Sequence, residues 1–415
     1  MEFIFLLRTV RNMSSVVAAY NYTPSVELMV GSDSYTFPRN SIRTIIIDEN
    51  YDKNTMPIIY IKVRISSVLY NKLVLNADKG TISFRLFKYT RDTKSTIREP
   101  YIEDNFTYIM TSDPNYNEAL EQFVSNSNTD DIESSDTYME GFIGLMSLKC
   151  IEDNKMLIND IIKNSNLPSI VHKYTNHMTM CIEPFDYIDT IEQHIIPPVN
   201  TITSLLEWLN TNFTFYKSGY RYFRDFSITY LLSTTGRSVS DGSSRFDTIV
   251  FSIRDPLDHL GKINSMELDN TNHAYIIYVD ASDTSIKIDR TANKHYNSIL
   301  GVDTLGNTTQ EALNLPDSPR LSEKVLLERT YSNNVNNIYN TKAAIESASV
   351  ILSIRKSEID STIFTPNKEY QIKNYSDNRD FDGRYILSYK KEIILRQDDG
   401  YIGSVMVGLR KVSEE

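Results

Sequence analysis

Strict alternation of apolar and polar residues governs the first third of the chain, and it dictates a half-buried sheet. From Pro57 to Ile65, the residues Ile59, Ile61, Val63 and Ile65 alternate with Tyr60, Lys62 and Arg64. A period of two puts one face of a strand in a core and the other outside it. From Thr81 to Tyr89 the same pattern sets Ile82, Phe84, Leu86 and Lys88 against Ser83, Arg85 and Phe87. Ser25 to Met29 alternates as well, and Ser41 to Ile47 reads as a further strand. Leu73 to Leu75 is expected to lead into a hairpin turn at Asp78-Lys79-Gly80, where glycine supplies positive φ. Short strands in succession with turns between them predict a small barrel or sandwich.

After this β region the stretch 125–137 is acidic, rich in Ser and Asn, and holds one apolar residue, Ile132. Burial cannot repay its ordering entropy, so it reads as a boundary loop, and it has neither the Gly turn nor the closing Glu of a calcium loop. The next section changes character. Phe142 to Leu148 is a short apolar strand; Asp153 to Asn164 carries Met156, Leu157, Ile161 and Ile162 at helical spacing, with Asp153 as the expected N-cap. Thr201 to Leu209 predicts a second helix, capped by Thr201 or Thr203. Aromatic strands follow at Phe213–Tyr216, Tyr220–Phe226 and Ile228–Leu232, with further strands at Thr248–Ile253, Ala274–Val279 and Ser285–Ile288. Residues 301–320 read as loop, and Glu328 to Ser347 as a polar, partly helical stretch. A second β set then comprises Ala348–Ile354, Glu369–Ile372, Arg384–Tyr389, Glu392–Arg396 and Val405–Leu409, with a hairpin turn at Asp398-Asp399-Gly400.

The expected fold class is α+β, mostly β, with two β-barrel domains flanking a mixed α/β middle region. At about 100–200 residues per domain, 415 residues hold several. The expected division is 1–20 as an N-terminal arm or an extension upstream of Met13, 21–125 as the first β-barrel, 126–325 as the middle region and 326–415 as the second. No run of about 18 apolar residues occurs, so no helical membrane anchor is expected.

Composition limits the chemistry. The formal net charge is −11, against the basic stripe expected of a nucleic-acid surface. Two cysteines, Cys150 and Cys181, make neither a disulfide framework nor a structural zinc site. His172, His177 and Cys181 are spaced by five and four, which gives no common helical or strand face for a metal. The motifs of α/β-hydrolases, zincins, P-loops and dinucleotide folds are absent. Asn378-Arg379-Asp380-Phe381-Asp382-Gly383 copies the first half of a calcium loop. Its twelfth position would be Tyr389 rather than Glu, so it reads as a turn opening a strand. The aromatics from Phe213 to Tyr230 have only Lys217, Arg221 and Arg224 for positive charge, which favours core packing over base stacking. No catalytic, cofactor-binding or metal-binding residue is assigned, and no enzyme activity or cofactor is expected. A paired-carboxylate hydrolase stays open, because such pairs are set by spatial separation.

Two stretches carry a resemblance. One is Cys181-Ile182-Glu183-Pro184-Phe185-Asp186-Tyr187, then Ile195-Ile196-Pro197-Pro198, the helix after Thr201, and Phe213 to Leu232. The other is Phe364-Thr365-Pro366-Asn367-Lys368-Glu369-Tyr370-Gln371-Ile372, then Gly383-Arg384-Tyr385-Ile386-Leu387 and the closing hairpin to Arg410. Together they resemble the central hub proteins of tailed-phage baseplates, of the T4-like trimeric type. The resemblance implies two barrels similar to tail-tube subunits, so that three chains present six barrels and convert a threefold spike into a sixfold tube. It implies a homotrimer whose neighbours are the tail tube protein, the central spike and baseplate wedge proteins, in a virion tail assembled in the host cytoplasm. DNA would pass through the lumen without specific binding, which an acidic lining would favour. The competing readings are a tail-associated cell-wall hydrolase and a peripheral carbohydrate- or receptor-binding β-protein.

Overall fold

The computed structural model describes residues 20–51, 56–90, 100–111, 138–158 and most of 160–233, then 364–366 and the strands from 248 onward named below. The arm at 1–19, the stretch 125–137 and the turn at 378–382 lie outside the described residues. The first strands are β1 (Tyr20–Val30), β2 (Asp33–Thr36), β3 (Ile42–Asn50) and β4 (Ile58–Ser66). Helix α1 (Ser67–Leu75) precedes β5 (Thr81–Thr90), β6 (Ile102–Thr111) and β7 (Tyr138–Ser147). The middle of the chain holds α2 (Leu148–Asn154), β8 (Ser165–Asn166), α3 (Leu167–Thr175), β9 (Met180–Ile182), β10 (Thr190–Ile191), α4 (Ile202–Phe213), β11 (Tyr220–Arg224) and β12 (Thr229–Ser233). Then come β13 (Thr248–Arg254), β14 (Met266–Asp269), β15 (Ala274–Asp280), β16 (Ile286–Thr291), β17 (Ser298–Val302), β18 (Thr308–Ala312) and β19 (Val325–Arg329). Last are β20 (Ser349–Ser357), β21 (Glu369–Asn374), β22 (Gly383–Gln397) and β23 (Gly400–Lys411). The fold is α+β and mostly β, as the alternation demands.

Eight strands pair in the order β22-β3-β4-β7-β6-β5-β1-β23, and β22 pairs with β23, so the circuit returns to its start. The alternation read from the sequence decides which face turns inward. Ile59, Ile61, Val63 and Ile65 of β4 and Ile82, Phe84 and Leu86 of β5 are buried in one core with Phe106, Tyr108, Ile143 and Leu145. The circuit is completed through a narrow seam, where β1 meets β23 at Asn21↔Ile402 and Tyr22↔Tyr401. Side chains reinforce it. The Tyr401 hydroxyl lies 2.8 Å from the Arg39 carbonyl and 3.0 Å from that of Ile42, and Arg396 Nη1 donates to the Asn40 carbonyl at 2.7 Å.

The C-terminal hairpin serves a second set of strands as well. Residues 383–386 of β22 pair with β21, whereas 389–395 pair with β3. On β23, Tyr401 and Ile402 pair with β1, whereas Ser404 to Arg410 pair with β20. Beyond the hairpin the second set runs β21-β13-β15-β14 on one side and β20-β16 on the other. Strand pairing therefore runs across the expected boundaries at 125/126 and 325/326.

Between the two sets lies a smaller unit with its own core. Leu205, Leu206 and Leu209 of α4, Ile170 and Val171 of α3, and Phe215, Tyr216, Tyr222 and Leu231 pack together there. Thr201 caps α4, its Oγ1 accepting from Ser204 N at 3.3 Å.

Local chemistry overrode several sequence expectations. Leu73 to Leu75 ends a helix rather than forming a strand, because Ser66 caps the turn that opens at Ser67 by accepting from Leu69 N. The helix expected at 153–164 sits earlier, at Leu148–Asn154, where Ser147 caps by accepting from Cys150 N, and Asp153 lies in its last turn. Phe213 closes α4 instead of opening a strand. Residues 298–302 and 308–312, expected within or beside a loop, form strands paired with each other. Arg384–Tyr389 and Glu392–Arg396 are one continuous strand.

Gly403 stands where β23 leaves β1 for β20, with the Tyr22 ring laid across it. A Cβ there would sit 2.7 Å from Tyr22 Cε2. Gly403→Val is expected to destabilise the fold by about 1–3 kcal/mol through overpacking, read as a lowered urea midpoint.

Candidate functional site: a buried polar junction

The hairpin changes partners at a bulge. Leu387 faces Leu409 and Tyr389 faces Gly408, so Ser388 is an extra residue on β22. An extra residue leaves ladder groups without ladder partners, and buried backbone groups must find others. Here the Ser388 carbonyl accepts from Tyr51 N at 2.8 Å. The Leu387 carbonyl accepts from Arg221 Nη1 at 3.0 Å.

Arg221 is 1% exposed and joins three segments. Besides Leu387 it donates through Nε to the Ser233 carbonyl at 3.2 Å and through Nη2 to the Pro366 carbonyl at 3.3 Å. Ser233 is held in turn by buried Glu183, whose Oε2 accepts from Ser233 N at 2.7 Å and Oε1 from Ser233 Oγ at 3.1 Å. The Tyr216 hydroxyl lies 2.7 Å from the Glu183 carbonyl. The Pro366 turn is fixed by Tyr370, whose hydroxyl donates to the Thr365 carbonyl and accepts from Thr365 N, both at 2.9 Å. Both sequence stretches that carry the hub resemblance thus converge on one guanidinium, and their shared residues do structural work.

A second polar group lies just past the bulge. Lys390 and Glu49 are register partners on β22 and β3, with Nζ 2.8 Å from Oε2 and both side chains buried. Lys391 and Asp48, one step along, pair at 2.9 Å in a more exposed setting. Glu392 is fully buried and accepts from the hydroxyls of Tyr22 and Tyr101. Burial alone would lower the Lys390 pKa, but Glu49, with Glu392 and Asp225 beyond it, carries it above its ordinary value. Burial pushes the Glu49 carboxyl up against the pull of Lys390. Tyr51 packs edge-on to Phe223 at 5.1 Å, Phe223 stacks on Tyr230 at 5.0 Å, and Tyr230 donates to Asp225 at 3.0 Å. The smaller unit is thereby seated against Tyr51, beside the Ser388 bulge.

The residues weighed for metal stay apart. His172 lies in α3, Cys181 lies on β9, and His177 Nε2 is 3.9 Å from Asp153 Oδ1. Among the described residues no group of three His, Cys, Asp or Glu side chains is placed to hold an ion. Asp153 pairs with buried Arg224. A cavity beside Met56, Tyr222 and Arg224 holds about 10 Å³, on the order of one water. Sequence reasoning missed Glu49, Lys390 and Glu392, since charged residues in a strand suggest an exposed turn. The available signal was a run of three charges, Lys390-Lys391-Glu392, between two apolar runs.

Removing one partner of a buried pair strands the other charge, at a cost of about 3–5 kcal/mol. Lys390→Met is expected to destabilise the fold by that amount, and Glu49→Leu with Lys390→Met to recover most of it, in urea unfolding. Stability also depends on pH. Burial raises the phenols of Tyr51, Tyr222 and Tyr370, and pushes Tyr108 up to about 12. A raised group stabilises fully below its unfolded value and loses that contribution as pH rises beyond it, and Lys390 acts in the same sense. The thermal midpoint should therefore fall steeply above about pH 10, the unfolded tyrosine value.

Comparison with known proteins places this arrangement. No curated protein sequence matches the chain. The tail protein from Neisseria meningitidis MC58 has a similar fold, with a TM-score of 0.53 at 8% identity over 94% of this chain and 97% of that one. The 43 kDa tail protein of prophage MuSo2 from Shewanella oneidensis aligns with a TM-score of 0.49 at 11% identity, over 92% of this chain and 97% of that one. The family model described as Bacteriophage PBS1 gene 109 protein matches residues 13–412. That match spans both strand sets and the hairpin between them, and the chain belongs to the Bacteriophage PBS1 gene 109 protein family.

Proposed function

We propose that this chain is a structural protein of a phage tail, a hub or adaptor that joins the tail tube to a central spike. The observation that carries the reading is the shared hairpin: two eight-strand sets, each including β22 and β23, are built as one sheet. Two tube-like modules fixed rigidly within one chain are what a symmetry adaptor requires, since three such chains offer six. In this reading one module comprises residues 20–147 with the hairpin. The other comprises the strands of 248–291 and 349–374 with the same hairpin. The fold likeness to the Neisseria tail protein over nearly the whole of both chains supports it. So do the buried polar contacts at the junction, which fix its geometry.

The expected assembly is a homotrimer in the virion tail, contacting the tail tube protein above, the spike below and wedge proteins at the side, with DNA passing through its lumen. Catalysis and cofactors have no part in it. Antibody labelling of intact virions should decorate the tail end distal to the capsid. Label on the capsid, or digestion of cell wall by the purified protein, would contradict the proposal.

A further inference from the structure

Among the described residues of this acidic chain, four arginines gather at one end of the ring. At one end of three neighbouring ring strands, β3 begins, β4 ends and β22 ends. The β3–β4 register skips Arg43 between Ile42 and Thr44, so Arg43 is an extra residue that the ladder leaves unpaired. Arg64 follows Val63, the partner of Ile42, and Arg396 follows Leu395, the partner of Thr44. Arg39 lies in the turn just before β3. Electrostatics agrees with the register: burial first, then Arg396 and Arg64, lower the Arg43 pKa. Arg396, Arg43 and Arg39 all bear on Tyr401. Glu140, the register partner of Arg64, is the acid that bears on Arg43. Among the described residues none of the four arginines forms an ion pair with a carboxylate.

Beside them the surface is apolar. Tyr138 is 50% exposed, with Arg64 Cζ 5.8 Å from its ring centroid, and Val68 is 66% exposed at the start of α1. Arginine with exposed aromatic and aliphatic side chains is the composition of a protein interface. A surface that only tracks duplex phosphates needs no apolar part. Four arginines favour an acidic partner, and a second copy of this chain, of net charge −11, is one.

We propose that this rim is the contact through which one copy of the chain docks on another. The proposal rests on the hub reading and names the face that reading left open. Because four arginines repel their own image, the contact cannot be self-complementary. The rim meets a different, acidic surface of the next copy, the head-to-tail arrangement that closes into a ring.

Sedimentation of the full-length protein at low and high salt tests it, because exposed charge pairs weaken as salt rises. The wild type should associate, less at high salt. Arg39→Glu with Arg43→Glu should weaken association at least about ten-fold while leaving the thermal midpoint unchanged. Arg64→Glu should act in the same direction, and it guards against misfolding of the first variant. Association that ignores the reversals overturns the proposal, as does a wild type that stays monomeric at every salt concentration. Stronger retention of duplex DNA than of a second copy, lost in the same variants, overturns it in favour of a nucleic-acid surface. An oligomer that survives the reversals leaves the hub reading standing, whereas virion label away from the tail removes that reading independently of the solution result.

Discussion

The partner switch at Ser388 is the constraint on which the rest of this molecule depends. The fifteen-residue strand β22 pairs with β21 at one end and with β3 at the other, and its register against β23 shifts by one residue where that partner changes. The bulge leaves carbonyls that the ladders cannot satisfy. Tyr51 N and the Arg221 guanidinium satisfy them, each brought from a different part of the chain. Both strand sets, and the smaller unit between them, are thereby fixed to a single hairpin.

Buried charge at such a place contributes less to net stability than to uniqueness, since a well-packed apolar substitute is often as stable. What Glu49, Lys390 and Glu392 specify is register. A one-residue slip of β22 against β3 would set Lys390 opposite Asp48 or Asn50 and move its ammonium to the other face. Tyr22 and Tyr101 would lose Glu392, and the two-pair seam between β1 and β23 would lose the ring that lies over Gly403. Several of the chain's 27 tyrosines act in this way, as buried rings whose hydroxyls close a carbonyl or a carboxylate. Tyr216, Tyr370 and Tyr401 do so as clearly as Tyr22.

Much of the ring was legible in the sequence because period-two alternation is a local signal. β4 and β5 bury the residues expected of them. The caps that moved the helices to Ser67 and Leu148 were legible too, but only by weighing Ser66 and Ser147 above the apolar spacing that followed them. Long-range pairing left no local mark. Glu49 and Lys390 lie far apart in the chain, and nothing near Lys390-Lys391-Glu392 says that one lysine is buried and the next half-exposed. The stretches that suggested a phage tail protein hold Glu183, Arg221, Pro366 and Leu387, which meet at one guanidinium although they lie far apart in the chain.

Hydrogen exchange along β22, followed amide by amide in the native protein, tests the shared hairpin most directly. If one strand ties both sets together, the interior amides of 383–387 and 389–395 should open with one common free energy, matching that of global unfolding. Independent opening of the two segments, with either set exchanging while the other stays protected, would contradict the account.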